Sequence, residues 1–275
     1  MSGAPPDGHL VTGATTLFGI VGDPIAQAKS PAVWNPLIAR AGVNAALVPL
    51  HIREADFADA IGGVMRVANV TGLVFTLPFK QKAMALADNV RPIGAAVGAV
   101  NALRREADGT WTGEMFDGLG LVNALAAAGV PAAGRRVMLL GAGGAGSAIA
   151  LSLALAGASA ITLHDPETPR AEACADCVRR LAPDCAVTVA APDIGGADIL
   201  VNASPVGMAP GDGLPAAFPA LPASLTVADI VPAPTTALLR LAAEAGCRTV
   251  AAGAMVGGQA RAILDFFGID IGDPA

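Results

Sequence analysis

From Val137 to Leu163 the chain carries no charged residue, and GAGGAG at 141–146 interrupts that run after its first few positions. Length alone would allow a membrane-spanning helix. The glycine cluster and a second stop at Gly157 instead divide the run into a buried strand (Val137–Leu140), a helix (Ala145–Ala156) and a second strand (Ser159–Leu163). A parallel strand covered on both faces is apolar throughout, so continuous hydrophobicity is what such a strand requires. No membrane span is therefore expected. Gly141, Gly143 and Gly146 form GxGxxG between strand and helix. The first glycine makes the tight turn, the second lets backbone approach a pyrophosphate, and the third allows the helix to pack closely on the strand. The helix start adds free N–H groups and the positive end of its dipole. Gly141, Gly143, Gly144, Ala145 and Gly146 are the expected cofactor loop. Asp165, 24 positions after Gly141 and at the end of the next strand, is the expected ribose-binding acid. A carboxylate there accepts from ribose hydroxyls and repels a 2′-phosphate, which favours NAD over NADP. Arg170 and Arg179 lie near enough in sequence for one to reach back to a phosphate.

The rest of the chain alternates short strands and helices. Strands are expected at Thr16–Val21, Ala45–Ile52 and Gly72–Leu77, with helices at Pro31–Ala41, Glu54–Val67 and Lys80–Asp88. Ala99–Arg104 and Thr110–Glu114 form an expected antiparallel pair, and Leu119–Ala128 a helix. Beyond Leu163 come strands Ala186–Ala190, Asp198–Asn202, Thr226–Ile230 and Arg248–Ala251. Helices Pro169–Leu181, Thr235–Ala245 and Met255–Phe267 accompany them. Such alternation predicts an α/β chain with parallel sheets covered by helices.

Composition excludes several classes. Of 275 residues, 53% are hydrophobic and 15% charged, so disorder is excluded. A net charge of −6 with no basic block argues against nucleic acid as a partner. The first residues, MSGAPPDGHLVTG, lack the basic and apolar regions of a secretory signal. Cys174, Cys177, Cys185 and Cys247 are too few for a disulfide framework. Cys174 and Cys177 form a CxxC inside a helical pattern rather than at a strand-to-helix junction, so helix packing is expected, with no metal. A cytoplasmic location fits best.

Several polar residues stand out from the apolar first half: Ser30, Thr76, Lys80, Asn101 and Asp117, with Gln259 interrupting the last helix. Lys80 and Asp117 are the candidates for acid–base chemistry, since a lysine beside a carboxylate can pass a proton to or from a hydroxyl as hydride moves. On pattern alone, an isolated Lys or Asp more often occupies a solvated face.

In their order, the blocks GDPIAQAKSP (22–31), TLPFK (76–80), GAVNAL (98–103), DGLG (117–120), GAGGAG (141–146), NASPVGM (202–208), the run 229–239 and GAMVGGQ (253–259) resemble the shikimate dehydrogenase family over almost the whole chain. The resemblance implies an N-terminal α/β substrate domain (1–117, with 253–275 packing back onto it) and a Rossmann doubly wound dinucleotide domain (118–252). The last helix would return to the substrate domain. The family interconverts 3-dehydroshikimate and shikimate with NADP, and paralogues use NAD and accept quinate. Lys80 and Asp117 then look like the catalytic pair, and Ser30, Thr76, Asn101 and Gln259 like contacts to a small cyclic hydroxy acid. Ala203, Pro205 and Met208, in Ala203–Met208, would lie near the nicotinamide. A monomer or homodimer is expected.

The chain also departs from that pattern. Where H-S-x-S-P is usual, it has Gln27-Ala28-Lys29-Ser30-Pro31, so one carboxylate-binding hydroxyl is missing. The usual tyrosine after D-x-V is Pro232, N-V-T is Val74-Phe75-Thr76, N-T-D is Met115-Phe116-Asp117, and Trp34 stands where His is common. A hydrogen bond to a charged group contributes about 1.5–3 kcal/mol, so two lost donors would lower activity on shikimate by orders of magnitude. The N-R-T pattern that goes with NADP is replaced by His164-Asp165-Pro166. Three readings follow: an NAD-preferring enzyme acting on shikimate, quinate or a related hydroxy acid, an orthodox NADP-dependent biosynthetic shikimate dehydrogenase, and a ligand-binding sensor that has lost catalysis.

Overall fold

The computed structural model describes residues 11–271 apart from Pro210, Pro219 and Pro234. The opening segment read above for a secretory signal lies mostly outside the described residues. In chain order, the first half runs β1 (Thr16–Gly22), α1 (Ser30–Arg40), β2 (Ala45–His51), a 3₁₀ turn at Glu54–Asp56, α2 (Phe57–Met65), β3 (Val70–Phe75) and α3 (Lys80–Met84). It continues through β4 (Asn89–Val90), α4 (Pro92–Val97), β5 (Ala102–Arg105) and β6 (Trp111–Glu114). These strands make one sheet of order β2-β1-β3-β5-β6-β4. β1 pairs in parallel with β2 and β3, and β5 is antiparallel to both β3 and β6.

Helix α5 (Asp117–Ala127) leads into β7 (Arg136–Leu140), α6 (Gly144–Leu155), β8 (Ala160–His164), α7 (Thr168–Leu181) and β9 (Ala186–Val189). β10 (Ile199–Asn202), β11 (Thr226–Asp229), α8 (Ala237–Glu244), β12 (Arg248–Ala251) and α9 (Ala252–Phe266) complete the chain. The second sheet is wholly parallel, in the order β12-β11-β10-β7-β8-β9. Its strand order reverses between β7 and β10, the crevice where a doubly wound sheet binds its ligand. β7 and β10 read as continuous apolar runs because helices cover both faces of this sheet. The uncharged run 137–163 is thus β7, α6 and β8, and among the described residues no helix is long and apolar enough to cross a membrane.

The last helix returns to the first sheet. Ala260, Ile263, Leu264 and Phe266 of α9 share a core with Phe18, Ile20, Trp34 and Val74. Phe267 stacks on Phe18 with ring centroids 4.7 Å apart. The buried Trp34 donates its Nε1–H to the carbonyl of Val256 at 3.2 Å, tying α1 to α9. Helix α5 lies against both α6 and α9, and glycine makes both approaches possible. A Cβ on Gly118 would stand 2.2 Å from the carbonyl oxygen of Ala148, and one on Gly258 2.2 Å from that of Gly120. Gly258→Ala must therefore separate α5 from α9. The expected loss is on the order of 1–3 kcal/mol, seen as a melting temperature lower by several degrees; an unchanged melting temperature would contradict this account of the contact.

Two local features differ from the sequence reading. The helix expected over Lys80–Asp88 stops at Met84, because Asp88 is claimed by β6: its N–H donates to the Trp111 carbonyl (2.8 Å) and its Oδ2 accepts from the Trp111 N–H (2.7 Å). The chain then forms β4 and α4, neither of which the sequence pattern indicated. The cysteines behave as packing residues. All four are buried and free, and burial pushes the Cys174 thiol up to about 11. All four are expected to resist alkylation at pH 8 in the native protein and to react in denaturant; rapid modification of Cys174 or Cys177 in the native state would contradict this.

Candidate active site

Lys80 begins α3 just after β3, and Asp117 begins α5 just after β6, so both stand where the first sheet passes into helix. Asp117 is 2% exposed, and its position in the first turn sets the carboxylate at the favourable end of the helix dipole. The Lys80 ammonium donates to Asp117 Oδ2. Asp117 Oδ1 accepts from Asn101 Nδ2 at 2.8 Å. The second Nδ2 hydrogen of Asn101 is directed at Gln259 Oε1, 3.3 Å away, and Asn101 Oδ1 accepts the Phe116 N–H at 2.9 Å. Both amide hydrogens of Asn101 are thus committed to protein partners. Its effect is to fix the Asp117 carboxylate and to engage the side-chain oxygen of Gln259. Four of the residues singled out from sequence, Lys80, Asn101, Asp117 and Gln259, therefore form one connected cluster drawn from four separate segments.

Ser30 opens α1 and Thr76 follows β3, and the loops next to them are tied together. The Thr76 N–H donates to the Val21 carbonyl (2.9 Å) and the Asp23 N–H to that of Leu77 (3.1 Å), which joins the loop before α1 to the loop before α3. Ser30 is buried at the first position of α1 and Thr76 is half-buried.

The glycine loop lies at the reversal point of the second sheet. Gly141 has φ +94°, open to glycine at little cost, and a Cβ there would stand 2.7 Å from the Ser204 nitrogen. A Cβ on Gly146 would stand 2.0 Å from the Gly141 carbonyl oxygen, so the third glycine is needed for the helix to seat. Around Gly143 the situation is reversed: a Cβ there would meet no protein atom within 4 Å. That open face, at the first turn of α6, is the shape and donor set a pyrophosphate requires. Asp165, 7% exposed, accepts the Ala142 N–H at Oδ2 (2.8 Å) and the Glu167 N–H at Oδ1 (2.9 Å), so it also holds the loop. Arg170 Nη1 lies 3.7 Å from Asp165 Oδ1, and its Nη2 donates to Glu167 at 2.7 Å. Arg179 pairs with Glu172 and Asp176 instead.

Ala203, Pro205 and Met208 lie on the loop after β10, and of these Ala203 stands against the glycine turn. Sequence reading had not seen what shapes this loop. Asn202, fully buried, donates to Asp229 Oδ1 (3.0 Å) and Val206 O (3.1 Å), and accepts from Ser204 Oγ (2.6 Å). Thr236, the N-cap of α8, donates to Asp229 Oδ2 at 2.6 Å. Burial holds the Asp229 carboxyl above the usual range for an aspartate. The NASPVGM block and the D-x-V run were the only signals of this network.

The two halves of the site meet. Ala99, two positions before Asn101, and Met115, two before Asp117, pack against Ala148 of α6, and the Gly144 position faces Ala99. A separate groove of about 540 Å³, between Arg135, Asp198 and Arg248, lies at the opposite, N-terminal edge of the second sheet. Among the described residues no His, Cys, Asp and Glu group is placed to hold a metal ion.

Residues 20–103 match the family model described as the shikimate dehydrogenase substrate binding domain. The chain is 35% identical over 248 residues to the shikimate dehydrogenase (NADP(+)) of Caulobacter vibrioides, covering 88% of this chain and 86% of the relative. Among solved structures, it is similar to the shikimate 5-dehydrogenase of Listeria monocytogenes in complex with shikimate and NAD (TM-score 0.83, 29% identity, 94% of each chain covered). It is likewise similar to the quinate dehydrogenase of Corynebacterium glutamicum in complex with NAD (TM-score 0.81, 28% identity, 94% of this chain and 96% of that one covered).

Proposed function

The chain belongs to the shikimate dehydrogenase family, and from that membership we propose that it oxidises a ring hydroxyl of a shikimate- or quinate-like compound with NAD, in preference to NADP. It is an NAD(P)-dependent oxidoreductase of the shikimate/quinate dehydrogenase type. The single observation that carries the proposal is the Lys80–Asp117 pair, held by Asn101, within reach of an α6 start built for a dinucleotide.

The bound dinucleotide supplies the hydride acceptor. On the protein side, Lys80 acts from its free-amine form: it takes the proton of the substrate hydroxyl as the carbinol C–H bond breaks with its electron pair, and becomes the ammonium that donates to Asp117. The carbinol would thereby become a ketone, its hydride passing to the dinucleotide that the glycine loop would hold, and its proton would leave the Lys80 ammonium to water. Asp117 holds the lysine in place and compensates its charge, and Asn101 keeps the carboxylate from rotating. Gln259, Ser30 and Thr76 are the groups we assign to the remaining substrate hydroxyls. We place the substrate unit at 1–117 with 253–275 and the dinucleotide unit at 118–252.

The cofactor preference rests on charge. Asp165 and Glu167 follow β8, where we assign the adenosine ribose, and the nearby Arg170 is already engaged by both. A phosphate there meets two carboxylates and a guanidinium whose charge is spent. The orthodox NADP reading lacks this support, and the sensor reading is disfavoured by the intact proton-transfer pair. Initial rates of NAD⁺ reduction with shikimate, quinate and their methyl esters test the proposal. Turnover of any of them upholds the dehydrogenase reading, a higher rate than with NADP⁺ upholds the preference for NAD, and turnover of none overturns both.

A further inference from the structure

We infer that the substrate of this chain is uncharged at the end that shikimate and quinate fill with a carboxylate, and that the compound oxidised is a neutral polyhydroxylated one carrying an ester, amide or hydroxymethyl group there. This rests on the dehydrogenase reading above and narrows its substrate class. A ligand seated against Thr76 and Lys80 would meet the loop before α1.

That loop is apolar where it turns inward. Ile25 and Ala28 pack into the cluster that holds Trp34, Val74 and Phe116, and Phe116 is the residue immediately before Asp117. Trp34 spends its one donor on the Val256 carbonyl, and Gln27 donates to the Pro24 carbonyl at 2.7 Å. Ser30 is the one hydroxyl of the segment 22–31, and the other half of the expected pair is the methyl group of Ala28. On the loop after β11, Pro232 has neither a hydroxyl nor an N–H to give.

Nor, among the described residues of these loops, does a buried cation stand ready to take the missing role. Lys80 is matched by Asp117, and Lys82 by Glu54 at 2.8 Å. Lys29 and Arg53 are exposed to water, where an ion pair gains little. Asp23 adds a negative charge to the same loop, held by His51 and the Glu54 N–H. A carboxylate leaving water for this surface would exchange several strong hydrogen bonds for one. A neutral group needs one hydrogen bond and apolar contact, and Ser30 with Ala28 and Ile25 supplies that.

Shikimate, quinate and their methyl esters separate charge from ring chemistry, because each ester keeps the ring hydroxyls of its acid. For each compound the test reads kcat/KM with NAD⁺ and, independently, Kd for the NADH complex by calorimetry. The esters are expected to show a kcat/KM higher, and a Kd lower, than the acids by about tenfold or more, the weight of one hydrogen bond to a charged group. Ala28→Ser, which restores the second hydroxyl, is expected to narrow that ratio severalfold. Acids that match or surpass their esters would overturn the inference while leaving the dehydrogenase reading intact. Turnover of none of the four would remove the dehydrogenase reading, and the inference with it.

Discussion

Replacing Lys80 by alanine is expected to lower kcat by about three orders of magnitude with a much smaller change in KM. A positioned general acid–base group contributes roughly 10²- to 10⁴-fold. Lys80 is the one group of the cluster that can carry a proton away from a substrate hydroxyl while staying attached to a buried carboxylate. The loss should appear in kcat, because proton transfer belongs to the transition state rather than to ground-state binding. Asn101→Ala should act through Asp117, lowering kcat by a smaller factor, since it frees the carboxylate to turn without removing the proton carrier. A Lys80→Ala variant with native circular dichroism and near-normal turnover would show that the pair is an ion pair for structure alone.

The second large effect concerns the cofactor. Asp165→Asn combined with Pro166→Arg removes the charge that opposes a 2′-phosphate and adds one that attracts it. The ratio of kcat/KM for NADP⁺ over NAD⁺ is expected to rise by about a hundredfold or more, most of it through KM for the dinucleotide. The asparagine retains an oxygen that can take over the acceptor role toward the Ala142 N–H or the Glu167 N–H, but not both. Some loss of stability is therefore expected alongside the switch. Were the ratio unmoved, the cofactor choice would lie elsewhere in the fold.

How much of this was legible beforehand follows from the range of the interactions involved. The β7–α6–β8 unit could be read directly, because an uncharged strand, a glycine turn and a helix start are neighbours in the chain. Helix α4 could not: Pro92–Val97 is six residues long with Gly94 inside it, and tertiary contact holds it, the Gly94 N–H donating to the buried Glu114 carboxylate at 2.7 Å. The two-residue β4 exists only because Asp88 binds Trp111 across a gap of 23 positions. In the site, the residue types of Lys80 and Asp117 suggested chemistry, but their contact spans 37 positions and required the family resemblance to be anticipated. The Asn202–Asp229–Thr236 network was not anticipated, because three common polar residues have no spacing that announces a shared buried carboxylate. The same holds for the hydrogen bonds of Asn101, expected as a substrate contact, to Asp117 and Gln259, which no local spacing indicates.

The central claim is an oxidoreductase whose charge pattern at Asp165 and Glu167 selects NAD. Its most direct test is kcat/KM for NAD⁺ and for NADP⁺ on the unaltered protein, with the best of the four hydroxyl compounds held at saturation. The account predicts a ratio of at least about ten in favour of NAD⁺. A ratio in favour of NADP⁺ would contradict it and return the chain to the orthodox biosynthetic reading.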